Sequence, residues 1–329
     1  MWRSRRPSSA RTNPASPTAC WIRLRARCAR RRSVAEAASV VTVETPTLVI
    51  TAELSGPEDG SPIILLHGWP DGPRCWDAVR PALHAAGYRT IVPCLRGFGA
   101  TTFRPGATVS GDLEALGQDV LDLMDGLGLA TAVLVGHDWG ARAAYVASHA
   151  APERVTACVA ISVGWGTNTA DQPMPLGQVQ NYWYHWFFAT PYGAKRLKDD
   201  PRGFAHYIWT IWMPDFPFDA ATYEATAPVF DNPDWPDVTI HSYSVRWGNA
   251  APNPQYDALR AAQRADMTIR VPTLMLHGEA DPVTAAATSD GKGDLFAARY
   301  ERHVLAGLNH FPPREAPDVV ARHILDFLG

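Results

Sequence analysis

The sequence predicts an α/β fold: a doubly wound, mostly parallel sheet interrupted by an inserted helical cap domain. Three observations predict it. Short apolar, β-branched runs alternate with stretches of helical periodicity from residue 41 to residue 163. That alternation stops at Gly164, where a Pro-punctuated, aromatic-rich stretch of about a hundred residues begins. Strand logic then resumes at Val271 and closes with a helical pattern over Pro317–Leu328.

Residues 1–40 stand apart. They hold ten Arg and one Glu, have no apolar periodicity, and are expected to be a disordered Arg-rich extension. Arg-rich, acid-poor composition suits an organellar transit peptide, but the amphipathic pattern is poor. Arg5-Arg6 lacks the apolar run that an export signal needs. The reading favoured here is a start placed too early, with the protein beginning near Val40. Subtracting the +9 of this stretch from the formal −3 leaves −12 for the rest, a body poorly suited to nucleic acid.

From Val41 the elements follow in order. Val41–Glu44 and Thr47–Glu53 alternate and predict a hairpin, closed by the turn-rich Ser55–Gly60. Ile63–Leu66 is a continuous apolar run, expected of a strand covered on both faces. A helix is expected from about Arg74 to Ala86, a strand at Thr90–Val92, and a helix over Leu113–Leu127 with Leu116, Val120, Leu123 and Met124 on one face. The run Val133–Val135 meets Gly136-His137-Asp138-Trp139-Gly140 and passes at once into a helix to about His149, before a strand at Val155–Val163. The domains expected are thus a first core segment 41–163, a cap 164–262 and a second core segment 263–329.

Composition narrows the function classes. Hydrophobic residues at 46% and charged ones at 19% are ordinary for a soluble globular protein. Five Cys without metal-ligand spacing give no disulfide framework or zinc site, and no apolar run has transmembrane length. A cytoplasmic protein without metal or cofactor is expected, a monomer or homodimer acting on a small molecule. Of twelve Trp, seven fall between Trp165 and Trp247, so the cap is expected to wall an aromatic cavity.

The glycines at 136 and 140 let the chain turn sharply from strand to helix, with Asp138 at the tip. This is the G-x-S-x-G nucleophile elbow with Asp in place of Ser. With His67-Gly68-Trp69-Pro70, Gly278-Glu279-Ala280-Asp281 and Asn309-His310-Phe311, in that order, the chain from residue 41 onward resembles the α/β-hydrolase superfamily. It resembles in particular the Asp-nucleophile branch of epoxide hydrolases and dehalogenases. One departure is Cys94, where the family usually has Asp.

The chemistry gives a reason for Asp. A Ser alkoxide attacking saturated carbon would leave an ether that water does not cleave. A carboxylate leaves an ester, whose carbonyl water can attack, so Asp138 points to epoxides or alkyl halides. His310 is then the expected base and Asp281 the acid that orients it. The alternative position for that acid reads Ile161-Ser162-Val163-Gly164 and holds no carboxylate. The resemblance assigns the oxyanion donors to the backbone N–H groups of Trp69 and Trp139, with a cis bond before Pro70. It assigns the ring-oxygen donors to Tyr184 and Tyr243, with Tyr182 as rival for the first.

Dehalogenation is the alternative. His185-Trp186 with Tyr243 resembles the halide pocket of haloacetate dehalogenases, and Arg142 matches one Arg that holds the substrate carboxylate there. That family has a second Arg after the nucleophile, where this chain has Trp139; haloalkane dehalogenases usually carry Asn or Glu where it has Trp69. Epoxide hydrolysis is therefore the expected activity. A hydrolase-fold binder without turnover is disfavoured by the complete Asp138–His310–Asp281 set.

Overall fold

The structure is a computed structural model and describes residues 38–167 and 172–329. The expected extension lies outside the described residues except for its last three. Two of these, Ser39 and Val40, already belong to strand β1 (Ser39–Glu44).

Strand β1 pairs antiparallel with β2 (Leu48–Ser55), as the alternation at 41–53 predicts. Then follow β3 (Ser61–Leu66), α1 (Arg80–Ala85), β4 (Tyr88–Pro93), β5 (Thr102–Phe103) and α2 (Leu113–Gly126). The elbow joins β6 (Ala132–His137) to α3 (Trp139–Ala150), and β7 (Val155–Ile161) comes next. The expected helix over 74–86 is in fact a 3-10 turn, Pro73–Trp76, followed by the short α1. Pro81 explains the break: it has no N–H to donate, and its ring would strike the carbonyl of Asp77 in a continuous helix. The two-residue β5, which pairs with β2, is too short for periodicity to reveal.

Between β7 and β8 (Thr273–Gly278) the described residues are helical. They form α4 (Leu176–Asn181), α5 (Trp183–Phe188), α6 (Pro191–Asp199), α7 (Pro201–Trp212), α8 (Ala220–Thr226), α9 (Trp235–Arg246) and α10 (Asp257–Ala265). Strand β9 (Tyr300–Leu305), the single turn α11 (Pro312–Glu315) and α12 (Pro317–Leu328) complete the chain.

The strand order is β1-β2-β4-β3-β6-β7-β8-β9, and every pair from β4 to β9 is parallel. The chain leaves β3 toward one edge and returns to build β6 on its other side. The β3–β6 boundary is therefore the switch point, where a crevice opens beyond the strands' carboxyl ends. Leu66 pairs with Gly136 there, so the turns after β3 and β6 start side by side.

Alternation along the strands sorts side chains to two cores. Ile64, Leu66 and Leu134 face one, and Ile63, Leu65, Val133 and Val135 face the other. Strands β6 and β8 are buried along their whole length. The first core continues into the helical insertion through Tyr184, Trp209, Trp212, Trp235 and Tyr243. No helix among the described residues is long and apolar enough to cross a membrane. Cys75, Cys94 and Cys158 are free thiols; Cys20 and Cys28 lie outside the described residues.

Candidate active site

Asp138 sits at the tip of the β6–α3 turn with φ 50° and ψ −110°, a backbone conformation that non-glycine residues rarely adopt. The turn closes because both neighbours lack side chains. A Cβ on Gly136 would lie 2.1 Å from the Gly140 carbonyl oxygen, and one on Gly140 would lie 2.2 Å from that of Leu66. The side chain is thereby thrust out beyond the sheet edge, over the loop that follows β3.

That loop supplies the first partner. The Trp69 N–H donates to Asp138 Oδ1 at 2.9 Å, and the Trp69–Pro70 bond is cis. Trp139 opens α3, so its N–H is one of those with no carbonyl behind it in the helix. The Trp69 N–H is thus a backbone donor in place on a carboxylate oxygen, and the Trp139 N–H lies at the adjoining helix start.

His310 lies on the loop after β9, fully buried, with Nε2 3.8 Å from Asp138 Oδ2. Its Nδ1 is 2.8 Å from Asp281 Oδ2, and since a carboxylate only accepts, Nδ1 carries the proton and Nε2 faces Asp138. Asp281 is fixed in turn: its Oδ1 accepts from the N–H groups of Val283, at 2.8 Å, and Thr284, at 2.9 Å. Burial alone would favour a neutral His310 ring, but the carboxylates of Asp281 and Asp138 outweigh it and hold its pKa above the ordinary value. Burial likewise opposes ionisation of Asp281, yet His310 and His277 keep its carboxyl below the usual carboxylate range.

Several groups that hold His310 have no signature in the sequence. Its carbonyl accepts from the Ser162 hydroxyl at 2.9 Å and from His137 Nε2 at 2.7 Å. Burial lowers the His137 pKa to about 4, so that ring is a neutral donor at ordinary pH. The N–H groups on either side of His310, those of Asn309 and Phe311, both donate to Glu315, at 2.5 and 2.8 Å. Ser162 was noticeable only as a position without a carboxylate; its φ of 67° turns it toward this loop.

The insertion brings a layer of rings over Asp138. Tyr184 on α5 stacks on Trp69 with centroids 5.3 Å apart, and its ring is 5.1 Å from that of Tyr243 on α9. The Tyr243 hydroxyl accepts from the Trp139 indole N–H at 3.1 Å. Burial, with Tyr243 and Asp138 adding to it for Tyr184 and Asp138 for Tyr243, raises both phenols well above their ordinary pKa. Both therefore remain protonated donors across the usual pH range. Tyr182 points elsewhere, its hydroxyl 3.1 Å from that of Thr284.

His185 is sandwiched between the rings of Tyr182, at 4.4 Å, and Tyr243, at 4.2 Å. The Trp247 indole N–H donates to its Nδ1 at 3.1 Å, which leaves the proton on Nε2. Burial, reinforced by Arg246 and Arg142, pushes its pKa well below the ordinary value, so the ring is neutral. Trp186 stands one layer back, its indole N–H donated to the Val179 carbonyl and its ring 4.8 Å from Trp247. The geometry thus gathers Asp138, His310, Asp281, Trp69, Trp139, Tyr184, Tyr243 and His185, and leaves Trp186 as their backing. Among the described residues no group of three or more His, Cys, Asp or Glu side chains could hold a metal ion.

Comparison with known proteins agrees with this architecture. Residues 61–315 match the family model described as the alpha/beta hydrolase fold. The chain is 29% identical over 304 residues to Epoxide hydrolase A of Mycobacterium tuberculosis, covering 82% of this chain and 91% of that protein. Human Epoxide hydrolase 4 is 24% identical over 288 residues, 82% of this chain and 73% of the human protein. A crystal structure from Klebsiella pneumoniae, assigned provisionally as an epoxide hydrolase, superimposes with a TM-score of 0.83 at 34% identity, covering 88% of this chain and 97% of the other. With its family match spanning most of the folded chain and its resemblance running to epoxide hydrolases, this protein belongs to the alpha/beta hydrolase fold family.

Proposed function

We propose that the chain is an epoxide hydrolase that opens its substrate to a vicinal diol in two steps, through an ester on Asp138. One observation carries the reading: the elbow presents a carboxylate, not a hydroxyl, and that carboxylate lies 3.8 Å from the base and acts electrostatically on two buried phenols. The names of the M. tuberculosis and human relatives support the same substrate class.

In the first step an oxygen of Asp138 attacks a ring carbon and the C–O bond breaks. Tyr184 and Tyr243 donate to the departing oxygen, which takes up a proton as charge develops on it. In the second, water attacks the ester carbonyl and gives a proton to His310 Nε2, while Asp281 stabilises the imidazolium. The N–H groups of Trp69 and Trp139 receive the negative charge on the carbonyl oxygen. Collapse releases the diol and restores Asp138, and the proton held by His310 restores the phenols. His185 walls the pocket beside Tyr243, and Trp186 steadies it through Trp247. No metal or cofactor is called on.

A second reading has one observation in its favour. His185 Nε2 is buried, carries a proton and meets no acceptor, and such an N–H suits a departing halide. Dehalogenation by the same triad therefore stays as the rival. Parallel incubation with styrene oxide, 1-bromobutane and chloroacetate separates the two: diol from styrene oxide supports the first, and halide release without diol overturns it. Asp138→Ala is expected to abolish turnover, and His310→Gln to accumulate the ester as a mass increase equal to the substrate.

A further inference from the structure

Helix α4, the first of the insertion, buries an amide and leaves a leucine in water. Its one buried residue is Gln178, 5% exposed, whereas Leu176 on the same helix is 84% exposed. Packing alone would favour the reverse, since a buried amide is costly unless both its ends find partners. Here both do. Gln178 Nε2 donates to the Val283 carbonyl at 2.6 Å, and its Oε1 accepts from the Ala285 N–H at 3.1 Å. One turn further on, the Tyr182 hydroxyl lies 3.1 Å from that of Thr284, between the two. These partners all belong to the loop after β8, which carries Asp281.

The contacts reach the acid through two peptide groups. The Val283–Thr284 peptide accepts from Gln178 at its carbonyl, and its N–H donates to Asp281 Oδ1 at 2.9 Å. The Thr284–Ala285 peptide accepts from His277 Nε2 at its carbonyl, at 2.7 Å, and its N–H donates to Gln178. Hydrogen bonds at the two ends of one peptide group polarise it and strengthen each other. Gln178 is therefore a single peptide group away from the Asp281 carboxylate. While both peptides are pinned, Oδ1 stays occupied and Oδ2 stays turned to His310 Nδ1.

We infer that Gln178 is a positioning residue for ester hydrolysis: from the insertion it sets the two peptide groups that hold Asp281, and through them the orientation of His310. The inference rests on the two-step reading proposed above and extends it to a residue that acts through the acid rather than on the substrate. It gives the insertion a second task besides covering the nucleophile, because the base is complete only with α4 seated on the acid loop. The first step asks nothing of Gln178, since Asp138 attacks and the phenols donate without help from Asp281. The second step depends on it.

The test compares the wild-type protein with two variants. Gln178→Met keeps the length of the side chain and loses both bonds; Gln178→Glu keeps the acceptor for Ala285 and loses the donor to Val283. In single-turnover reactions with styrene oxide, followed by protein mass, Gln178→Met should form the ester at the wild-type rate and hydrolyse it roughly tenfold or more slowly. The His310 Nδ1–H proton, read far downfield by proton NMR and assigned by its loss in His310→Gln, should shift upfield or vanish through exchange in both variants. An unmoved resonance, or equal slowing of both steps, would overturn the role, since a residue that merely supports the fold slows both alike. Should neither variant fold, the wild-type protein still decides. Its Ala285 amide should exchange with deuterium as slowly as those of β8, and rapid exchange would overturn the contact. If the wild type makes no diol from styrene oxide, the epoxide reading falls, while the resonance still decides on Gln178.

Discussion

Asp281 shows how much one carboxylate oxygen can decide. Oδ1 is occupied by two backbone N–H groups, so only Oδ2 is free to receive the His310 Nδ1 proton. In Asp281→Asn the amide oxygen would stay with the backbone donors and the NH2 would face Nδ1. The ring proton then moves to Nε2, where the base needs a lone pair, and ester hydrolysis should slow by roughly 10,000-fold. The pH dependence follows from the same contacts. His310 works only when neutral, and its pKa is raised, so the rate of ester hydrolysis should climb with pH through a midpoint above that of an ordinary histidine. Removing the Asp281 charge takes away the foremost cause of that rise, so residual activity in the variant should show its acid limb at lower pH. Single-turnover hydrolysis of the preformed ester reads both effects; a limb that does not move would remove Asp281 from the base. The two tyrosines separate from His310 by the step they govern. Tyr243→Phe should slow ester formation about a hundredfold and leave ester hydrolysis near wild type, with Tyr184→Phe similar. Slowing of the second step instead would assign the phenols another role.

Elements were legible in the sequence to very different degrees. The strands were, because β3, β6 and β8 are buried on both faces and therefore read as unbroken apolar runs. The elbow was, because a glycine is required on each side of Asp138 and both requirements are local. The insertion was visible only as the absence of strands, since its helices are short and its aromatics point both into the pocket and into its own core. That is why Tyr184 and Tyr182 were hard to tell apart in the sequence, two residues from each other, one inside α5 and the other at the junction of α4 and α5. Glu315 was not visible at all: it lies five residues beyond His310 and looks like a charge opening a helix. Instead the carboxylate is buried and grips the N–H groups of Asn309 and Phe311, so α11 serves to clamp the histidine loop. Glu315→Ala would strand two buried donors and should cost about 2 kcal/mol in stability. Because the loop would relax by a fraction of an ångström, kcat should fall more than tenfold with little change in KM, and Glu315→Gln should recover part of it. A stability loss with kcat intact, in urea titration and steady-state assays, would make Glu315 a purely structural residue.

At the scale of the whole molecule, the site is assembled from turns after four strands and from two helices of the insertion, and long-range ion pairs hold these pieces in register. Sequence reading finds the turns, because each carries its own motif, but cannot find the pairs, because nothing local marks them. Arg96 and Asp119 join the loop after β4 to α2 in this way. Asp71 and Arg314 do more, for they are 243 residues apart and tie the Trp69 loop to the His310 loop. The Arg314 guanidinium also lies 4.3 Å from the Trp209 ring centre, so the same pair anchors α7 of the insertion. Removing either partner leaves the other buried and uncompensated, which typically costs about 3–5 kcal/mol. Asp71→Asn and Arg314→Met should each destabilise by that order. The double variant should lose less than the two losses together, with a coupling of about 1–3 kcal/mol, because no buried charge is left unpaired. The catalytic readout should differ: kcat should fall in both single variants and stay low in the double, since neutral residues there no longer fix one loop against the other. Strict additivity in denaturant unfolding would mean that the pair does not act as a unit. Recovery of kcat together with stability in the double variant would mean that the pair serves the fold and not the alignment of Trp69 with His310.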